Sequence, residues 1–469
     1  MLENIIYISP LIVLLSSIFI ITFSEYKPDE QYRCFKFTKI TLLFAFILTV
    51  IFYNKPLIYS ITQGNYFTLF FETLLYISSF ALLYLSRKWF IAKDIPAYKF
   101  CICLCTSVLC GSLLIRSTNL ALTDICCIAI MLCNYQLLSY DSKRDNQLNT
   151  GVYRFSIIIC CILLIFSVII FYLSSGSLMY NDLHSYIDVH HSELPIFFAS
   201  CTTLLSFSFL IGLAPLHFWF TEALGKTILP VFIYFILVPI CSYFAGIIKF
   251  NIKIISPLAD YFTCLYTSIS LLSITIGAIG TCSGKNIRKI LAYSSVYHLG
   301  VIFLILPNPT YLSSGLIYLI SYMLAMYGIC ACLLGLKSKG EYLFTLSEFE
   351  GAAHKRPYIS AMMSVFLFSL LGFPPFLGFI GYLSVFSSLV DNGQYLLVIY
   401  LLIAMLGLLY SYLRLIKTFY SDNRRQSFDY IDTSIYIAVM LNAILMIFLV
   451  LKPHYLIENL IFVIGEALI

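Results

Sequence analysis

The sequence predicts an all-α, polytopic membrane protein of about fourteen transmembrane helices, and three observations predict it. Hydrophobic residues make up 61% of the 469 residues and charged residues 11%, whereas a soluble domain carries about a quarter charged residues. With a mean hydropathy of +0.93, the chain holds more apolar surface than a soluble fold of this size can hide. Apolar runs of about 20 residues, the length that crosses a hydrocarbon core of about 30 Å, recur along the whole chain. Those runs are long and continuous, which selects helices over the short alternating strands of a barrel.

The runs fall at 6–23, 38–53 and 66–86, which form helices 1–3. They continue at 100–117, 119–140, 153–174, 195–219 and 229–250, then at 261–281, 287–306, 311–335, 359–386 and 395–417, and end at 433–452. The chain reads as a single transmembrane domain over 1–469. Residues 1–98 hold helices 1–3, 99–250 a first repeat of helices 4–8, 261–417 a second repeat of helices 9–13, and 430–469 helix 14 and a tail. Helix 1 begins almost at once after Met1-Leu2-Glu3-Asn4, so no cleavable signal or basic presequence is expected and synthesis beside the membrane is. Helices 4–6 carry Cys101, Cys103, Cys105, Cys110, Cys126, Cys127, Cys160 and Cys161, which read as small hydrophobes because no His or carboxylate clusters with them; no metal is expected. The acidic, His-bearing stretch from Asn181 to Glu193 reads as a solvated helical-hairpin loop, and 336–358 as the longest polar loop.

Helices 7 and 12 are interrupted, at Gly212-Leu213-Ala214-Pro215 and at Gly372-Phe373-Pro374-Pro375. Five helices separate them, an odd number, so the two segments run in opposite directions, as in an inverted repeat. Broken helices at Pro215 and at Pro374 and Pro375 free backbone groups that are tolerable only beside protein or a water-filled path. A plain proline kink at each is the alternative.

The net charge of +5 does not point to nucleic acid, because the connections after helices 1, 3, 5, 7, 9, 11 and 13 and the adjoining helix ends hold all but five of the 28 Lys and Arg. The five are Lys55, Arg116, Lys249, Lys253 and Lys452. By the positive-inside rule both termini lie on the opposite, outer side. Ionisable groups within the runs cost roughly 2.5–3.5 kcal/mol each at a helix centre, so each is a functional candidate. Asp124 and Arg116 flank the start of helix 5, and Arg116 is expected to snorkel to an interface. Arg154 opens helix 6, Glu222 and Lys226 stand at pairing distance after helix 7, and Lys249 lies near the end of helix 8. His298 lies inside helix 10 beside Tyr293, Ser294, Ser295 and Tyr297; it reads equally as a proton relay or as a packed neutral imidazole.

At these residues the chain resembles a known family, the antiporter-like membrane subunits of respiratory complex I, of the NADH dehydrogenase subunit 2 type. Three blocks carry the resemblance: GLAPLHFW, Gly212 to Trp219; KNIRKILAYSSVYHLG, Lys285 to Gly300; and a stretch from Glu350-Gly351 through Arg356-Pro357 and SLLGFPPFLGFIGY, Ser369 to Tyr382, to YSYLRLIKTFY, Tyr410 to Tyr420. Weaker similarity, such as Ser175-Gly176-Ser177, extends it over most of the chain. Subunits 4 and 5 of the same complex share the fold, but the Pro-Leu-His-Phe-Trp wording and the length favour subunit 2.

The resemblance implies a half-channel in each repeat, joined by a mid-membrane line of Lys, Glu and water. This sequence departs from that pattern. The helix 5 glutamate falls between Ala129 and Cys133, where no carboxylate occurs from Ile125 to Tyr140; the helix 7 lysine falls on Leu210, the helix 8 lysine on Ile240 after Pro239, and the helix 12 lysine on Tyr382. His298 matches the family histidine, Glu222 approximates an acidic position and Arg154 a basic one. Either the subunit is a structural link whose own proton transport is lost or weak, the favoured reading, or a rerouted path runs through groups such as Asp124, Lys249, His298 and Tyr382.

The resemblance further implies a subunit without catalytic residues of its own in a proton-translocating NADH:ubiquinone oxidoreductase. FMN, iron–sulfur clusters and ubiquinone are expected in other subunits and no cofactor in this chain, which has no glycine-rich phosphate loop or Cys ligand set. The expected partners are the other membrane-arm subunits and membrane lipids, with no nucleic acid. The expected location is the mitochondrial inner membrane, with both termini on the intermembrane-space side. Forty Phe and 36 Tyr against 22 Gly and 15 Pro fit AT-rich codons and an organelle genome. A free-standing cation/proton antiporter and a scaffold of a related redox complex are the alternatives.

Overall fold

Inside a bilayer no water bonds the backbone, so a chain this apolar closes its hydrogen bonds within helices. The computed structural model describes residues 2–23, 33–52, 62–93, 95–139, 144–190, 193–338, 340–422 and 427–468. Of the 28 Lys and Arg counted above, Lys27, Lys55, Lys143, Lys339, Arg424 and Arg425 lie outside the described residues, as do Tyr140 and positions 191–192 of the acidic stretch.

The helices run α1 (Leu2–Phe23), α2 (Arg33–Phe52), α3 (Tyr66–Lys93), α4 (Tyr98–Arg116), α5 (Leu120–Leu138), α6 (Arg144–Ser175), α7 (Tyr180–Val189), α8 (Leu194–Ile211), α9 (Phe218–Lys226) and α10 (Leu229–Phe250). They continue as α11 (Ala259–Ser283), α12 (Ile287–Ile305), α13 (Leu312–Gly335), α14 (Ala352–Lys355), α15 (Pro357–Leu370), α16 (Leu377–Asp391), α17 (Tyr395–Phe419), α18 (Thr433–Leu451) and α19 (Pro453–Leu468). Among the described residues, twelve spans are long and apolar enough to cross a membrane. The shorter apolar segment of α1, Ile8–Phe23, and the broken pair α15 and α16 supply the remaining two of the fourteen crossings expected.

Two compact units form. The first comprises Met1–Ile211, Pro230–Phe262 and Phe462–Ile469. At its centre stands α10, apolar on every face up to Lys249 near its end and buried except at that residue, as a helix without a polar stripe must be. By contrast α6 turns Phe155, Ile162, Ile165 and Leu173 outward, which suits a surface whose solvent is lipid. The second unit comprises Gly212–Leu229 and Thr263–Ile461. Here α12 and α13 are the buried pair, while α17 and α18 expose Leu396, Ile403, Leu441 and Ile447.

Three connections differ from expectation. The Asn181–Glu193 stretch is not a solvated loop over its first part: α7 docks through Tyr180, Leu183 and Ile187, a helical spacing that makes one apolar face. The 336–358 connection contains a small hairpin, with Lys337 opposite Tyr342 and Ser338 opposite Glu341, then a 3-10 turn and α14. The tail after helix 14 folds as α19.

Candidate functional site

Both helix breaks are built alike. Between α8 and α9, Gly212 takes φ +85 and the Ala214–Pro215 bond is cis; between α15 and α16, Gly372 takes φ +74 and the Pro374–Pro375 bond is cis. In each case the returning half-helix lays an aromatic ring on the glycine. A Cβ would stand 2.7 Å from the Phe220 ring at Gly212 and 2.5 Å from the Tyr382 ring at Gly372, so only glycine fits. A serine hydroxyl at each break accepts from a backbone amide that the interrupted helix no longer bonds: Ala214 N–H donates to Ser273 Oγ at 2.9 Å and Gly378 N–H to Ser369 Oγ at 3.2 Å.

Beside the second break lies His298, buried in α12. Its Nδ1 is 2.8 Å from the Tyr318 hydroxyl of α13 and its Nε2 3.3 Å from the Tyr412 hydroxyl of α17. Tyr412 in turn hydrogen-bonds Ser294, one turn earlier on α12. A neutral imidazole has one donor and one acceptor nitrogen, so both are satisfied, and a proton taken up at one can leave from the other. The ring is packed within a chain of hydroxyls, a geometry that either reading of His298 could use. Tyr382 joins the cluster edge-on to Tyr318, with ring centroids 4.9 Å apart. His298, Tyr318, Ser321, Tyr322, Ser369 and Tyr382 border a cavity with ≈ 10 Å³ open to a water's centre, about one water molecule's worth.

The first unit holds a different set. Arg116 does not snorkel: it closes a two-pronged ion pair with Glu72 of α3, Nε to Oε1 at 2.6 Å and Nη2 to Oε2 at 2.7 Å, with both side chains 3% exposed. A bidentate partner inside the protein outweighs the reach to an interface. Lys249, near the end of α10, donates to the carbonyls of Ile115 and Ser117 at the C-terminal end of α4. Asp124, on α5, is buried with no hydrogen bond to either carboxylate oxygen among the described residues. Next to it, the Thr123 and Tyr180 hydroxyls pair at 3.2 Å. Leu210 and Ile240, where the resemblance expects lysines, are buried apolar side chains.

Glu222 and Arg154 belong to neither set. Glu222 meets Lys289 at 2.5 Å, a partner that its spacing to Lys226 does not suggest, and both side chains keep over a third of their surface exposed. This pair is one strand of a latch between α9 and the start of α12. Asn286 caps α12 by accepting from Arg288 N–H at 3.0 Å and donates to Gly225 O at 2.8 Å, while Arg288 donates to Thr227 O at 2.6 Å. The Lys-Asn-Ile-Arg-Lys motif is thus a docking device. Arg154 is exposed on α6.

Residues 117–407 match the NADH:quinone oxidoreductase/Mrp antiporter transmembrane family, a stretch longer than half the chain that runs through both breaks. The chain belongs to this family. NADH-quinone oxidoreductase subunit N of Parvibaculum lavamentivorans is 27% identical over 269 residues, 57% of this chain and 56% of that protein. Subunit N of Pelagibacter ubique is 24% identical over 437 residues, 91% and 92% of the two chains. A chain in the structure of respiratory complex I from Thermus thermophilus with bound aureothin superposes with a TM-score of 0.80 at 22% identity, covering 96% of this chain and 99% of that one. The fold is therefore that of the antiporter family.

Within this antiporter-family chain, sequence reasoning missed Glu72, Tyr318 and Tyr412. Glu72 carried a signal, as the one carboxylate in the 66–86 run, but its partner lies 44 residues away. Tyr412 lies inside the YSYLRLIKTFY block, but among 36 tyrosines only packing selects it and Tyr318.

Proposed function

We propose that this chain is the subunit-2, or subunit-N, type of antiporter-like membrane subunit in a proton-translocating NADH:quinone oxidoreductase. The observation that carries this reading is the family match over 117–407. The names of the relatives supply the complex, and other membrane-arm subunits are then its partners. Electron transfer and its FMN, iron–sulfur clusters and quinone belong to other subunits; this chain contributes to the membrane arm.

In this reading helices 4–8 and 9–13 are inverted repeats. Parallels five helices apart support it: Asn119 caps α5 and Asn286 caps α12, and each also forms an isolated bridge, to Met179 and to Thr345. The chain's own mid-membrane proton line is impaired at Leu210 and Ile240, because buried aliphatic side chains exchange no proton. Any proton movement through it uses other groups, of which the His298 chain is the most complete. The location is the mitochondrial inner membrane with both termini on the intermembrane-space side, supported by the Phe- and Tyr-rich composition and the basic odd-numbered connections.

Purification of the chain from native membranes tests the assignment. Co-migration with NADH:quinone oxidoreductase activity is expected. Isolation of the chain alone, with cation/proton exchange in vesicles, would replace it with the free-standing antiporter that the family also includes.

A further inference from the structure

We propose that Glu72, Arg116 and Lys249 form a proton-exchange site in the first unit, with Lys249 as the group that gains and loses the proton; this rests on the membership proposed above. The charged side chains facing Lys249 are Glu72 from α3 and Arg116 from α4, and the Phe67 ring stands 5.8 Å from its Nζ. Two cations thus lie near one carboxylate, and Arg116 is the one that holds it. Arg116 takes both oxygens of that carboxylate, and a guanidinium does not release its proton in a protein. This grip leaves neither carboxylate oxygen of Glu72 without a donor. The group holds two basic side chains to one acidic one, and of the two only Lys249 can give up its proton.

The hydrogen bonds of Lys249 fit both of its protonation states. Its nitrogen donates to two carbonyls, Ile115 O and Ser117 O. An ammonium has three N–H donors and a neutral amine two, so losing the proton costs neither bond. The ammonium is favoured by the carbonyl end of α4 and by the Phe67 ring, and the amine by relief of an unbalanced charge in a low-dielectric place. Glu72 and Arg116 are sealed, whereas Lys249 keeps some exposed surface, so exchange with water occurs at its end of the group. A π-helical segment, Asn251–Ile255, follows directly, a feature common at functional sites. The group lies where α4 ends, at the even-numbered connections, which the distribution of basic residues assigns to the outer face. It is therefore an exit-side site, away from Leu210 and Ile240.

The assembled complex carrying Lys249→Gln or Lys249→Arg tests this. Gln keeps two N–H donors for the two carbonyls and stands for the amine; Arg keeps the charge and cannot release it. Both variants are expected to assemble and to lose part of the wild-type proton translocation. An assembled variant of either kind that moves protons as the wild type does overturns the proposal, because neither side chain exchanges a proton. Failure of both to assemble also overturns it, since between them they retain the bonds and the charge, which leaves Lys249 a scaffold role. Should the wild-type chain not co-purify with the oxidoreductase, membership alone fails. The same variants are then compared for proton movement in vesicles holding the purified chain.

Discussion

Nδ1 of His298 lies 2.8 Å from the hydroxyl of Tyr318, and the opposite nitrogen faces Tyr412 at 3.3 Å, so one imidazole joins α12 to α13 and α17. Tyr318→Phe removes a partner without removing volume. It leaves a buried ring nitrogen unsatisfied, at a cost of about 1–3 kcal/mol, and interrupts the hydroxyl chain. Thermal unfolding of the purified chain should show the loss, and proton movement should fall in the assembled complex. Undiminished proton movement would remove the chain from the proton path and leave His298 a packing residue.

The Glu72–Arg116 pair predicts an asymmetry between single and double variants. Removing one partner strands a charge out of water and costs about 3–5 kcal/mol. Glu72→Leu or Arg116→Leu alone should therefore lower yield and melting temperature sharply. The double variant should recover most of the loss, because two apolar side chains of similar bulk leave only Lys249 charged, with its bonds to the Ile115 and Ser117 carbonyls intact. A double variant as unstable as the worse single one would mean that the pair's hydrogen bonds, and not its charges, hold α3 to α4.

Glycine at the second break serves two needs that substitutions can separate. Gly176 and Gly372 both have positive φ, +73 and +74, but a Cβ at Gly176 meets nothing within 4 Å. Gly176→Ala should cost only the left-handed backbone penalty, about 1–2 kcal/mol. Gly372→Ala adds the collision with the Tyr382 ring and should cost more. In a thermal-shift series, Gly372→Ala should cost less in a Tyr382→Ala background, where the ring is gone, than in the wild type.

The apolar runs and the two breaks were legible because hydrophobic length and Gly-Pro pairs are local signals. The partners were not. Arg116 read as an interfacial residue because it stands at a helix end and its partner Glu72 lies 44 residues away in the chain, and Glu222 read as the neighbour of Lys226 because helical spacing is all that a sequence offers. His298 was found as an ionisable group in an apolar run; Tyr318 and Tyr412, ordinary residues in a tyrosine-rich chain, could not be. The α7 helix was masked by Asp182 and Asp188, exposed on its outer face, and by His184, whose Nδ1 lies 2.8 Å from Lys253 O, while Tyr180, Leu183 and Ile187 hold it down.

Restoring the lysine that the resemblance expects at position 210 probes whether the interior still accepts one. Leu210 is 4% exposed, and the helix-centre cost of a lysine is roughly 2.5–3.5 kcal/mol. The carboxylate that accompanies it elsewhere in the family has no counterpart here, since helix 5 carries none from Ile125 to Tyr140. A lone Leu210→Lys should therefore reduce assembly and leave proton translocation no higher than before. Adding Ala129→Glu supplies an opposite charge at the lower end of the expected register, and the double variant should assemble better than the single one. If Leu210→Lys alone assembled normally and raised proton movement, the surrounding groups would already form a path, and the impairment assigned to Leu210 and Ile240 would be wrong.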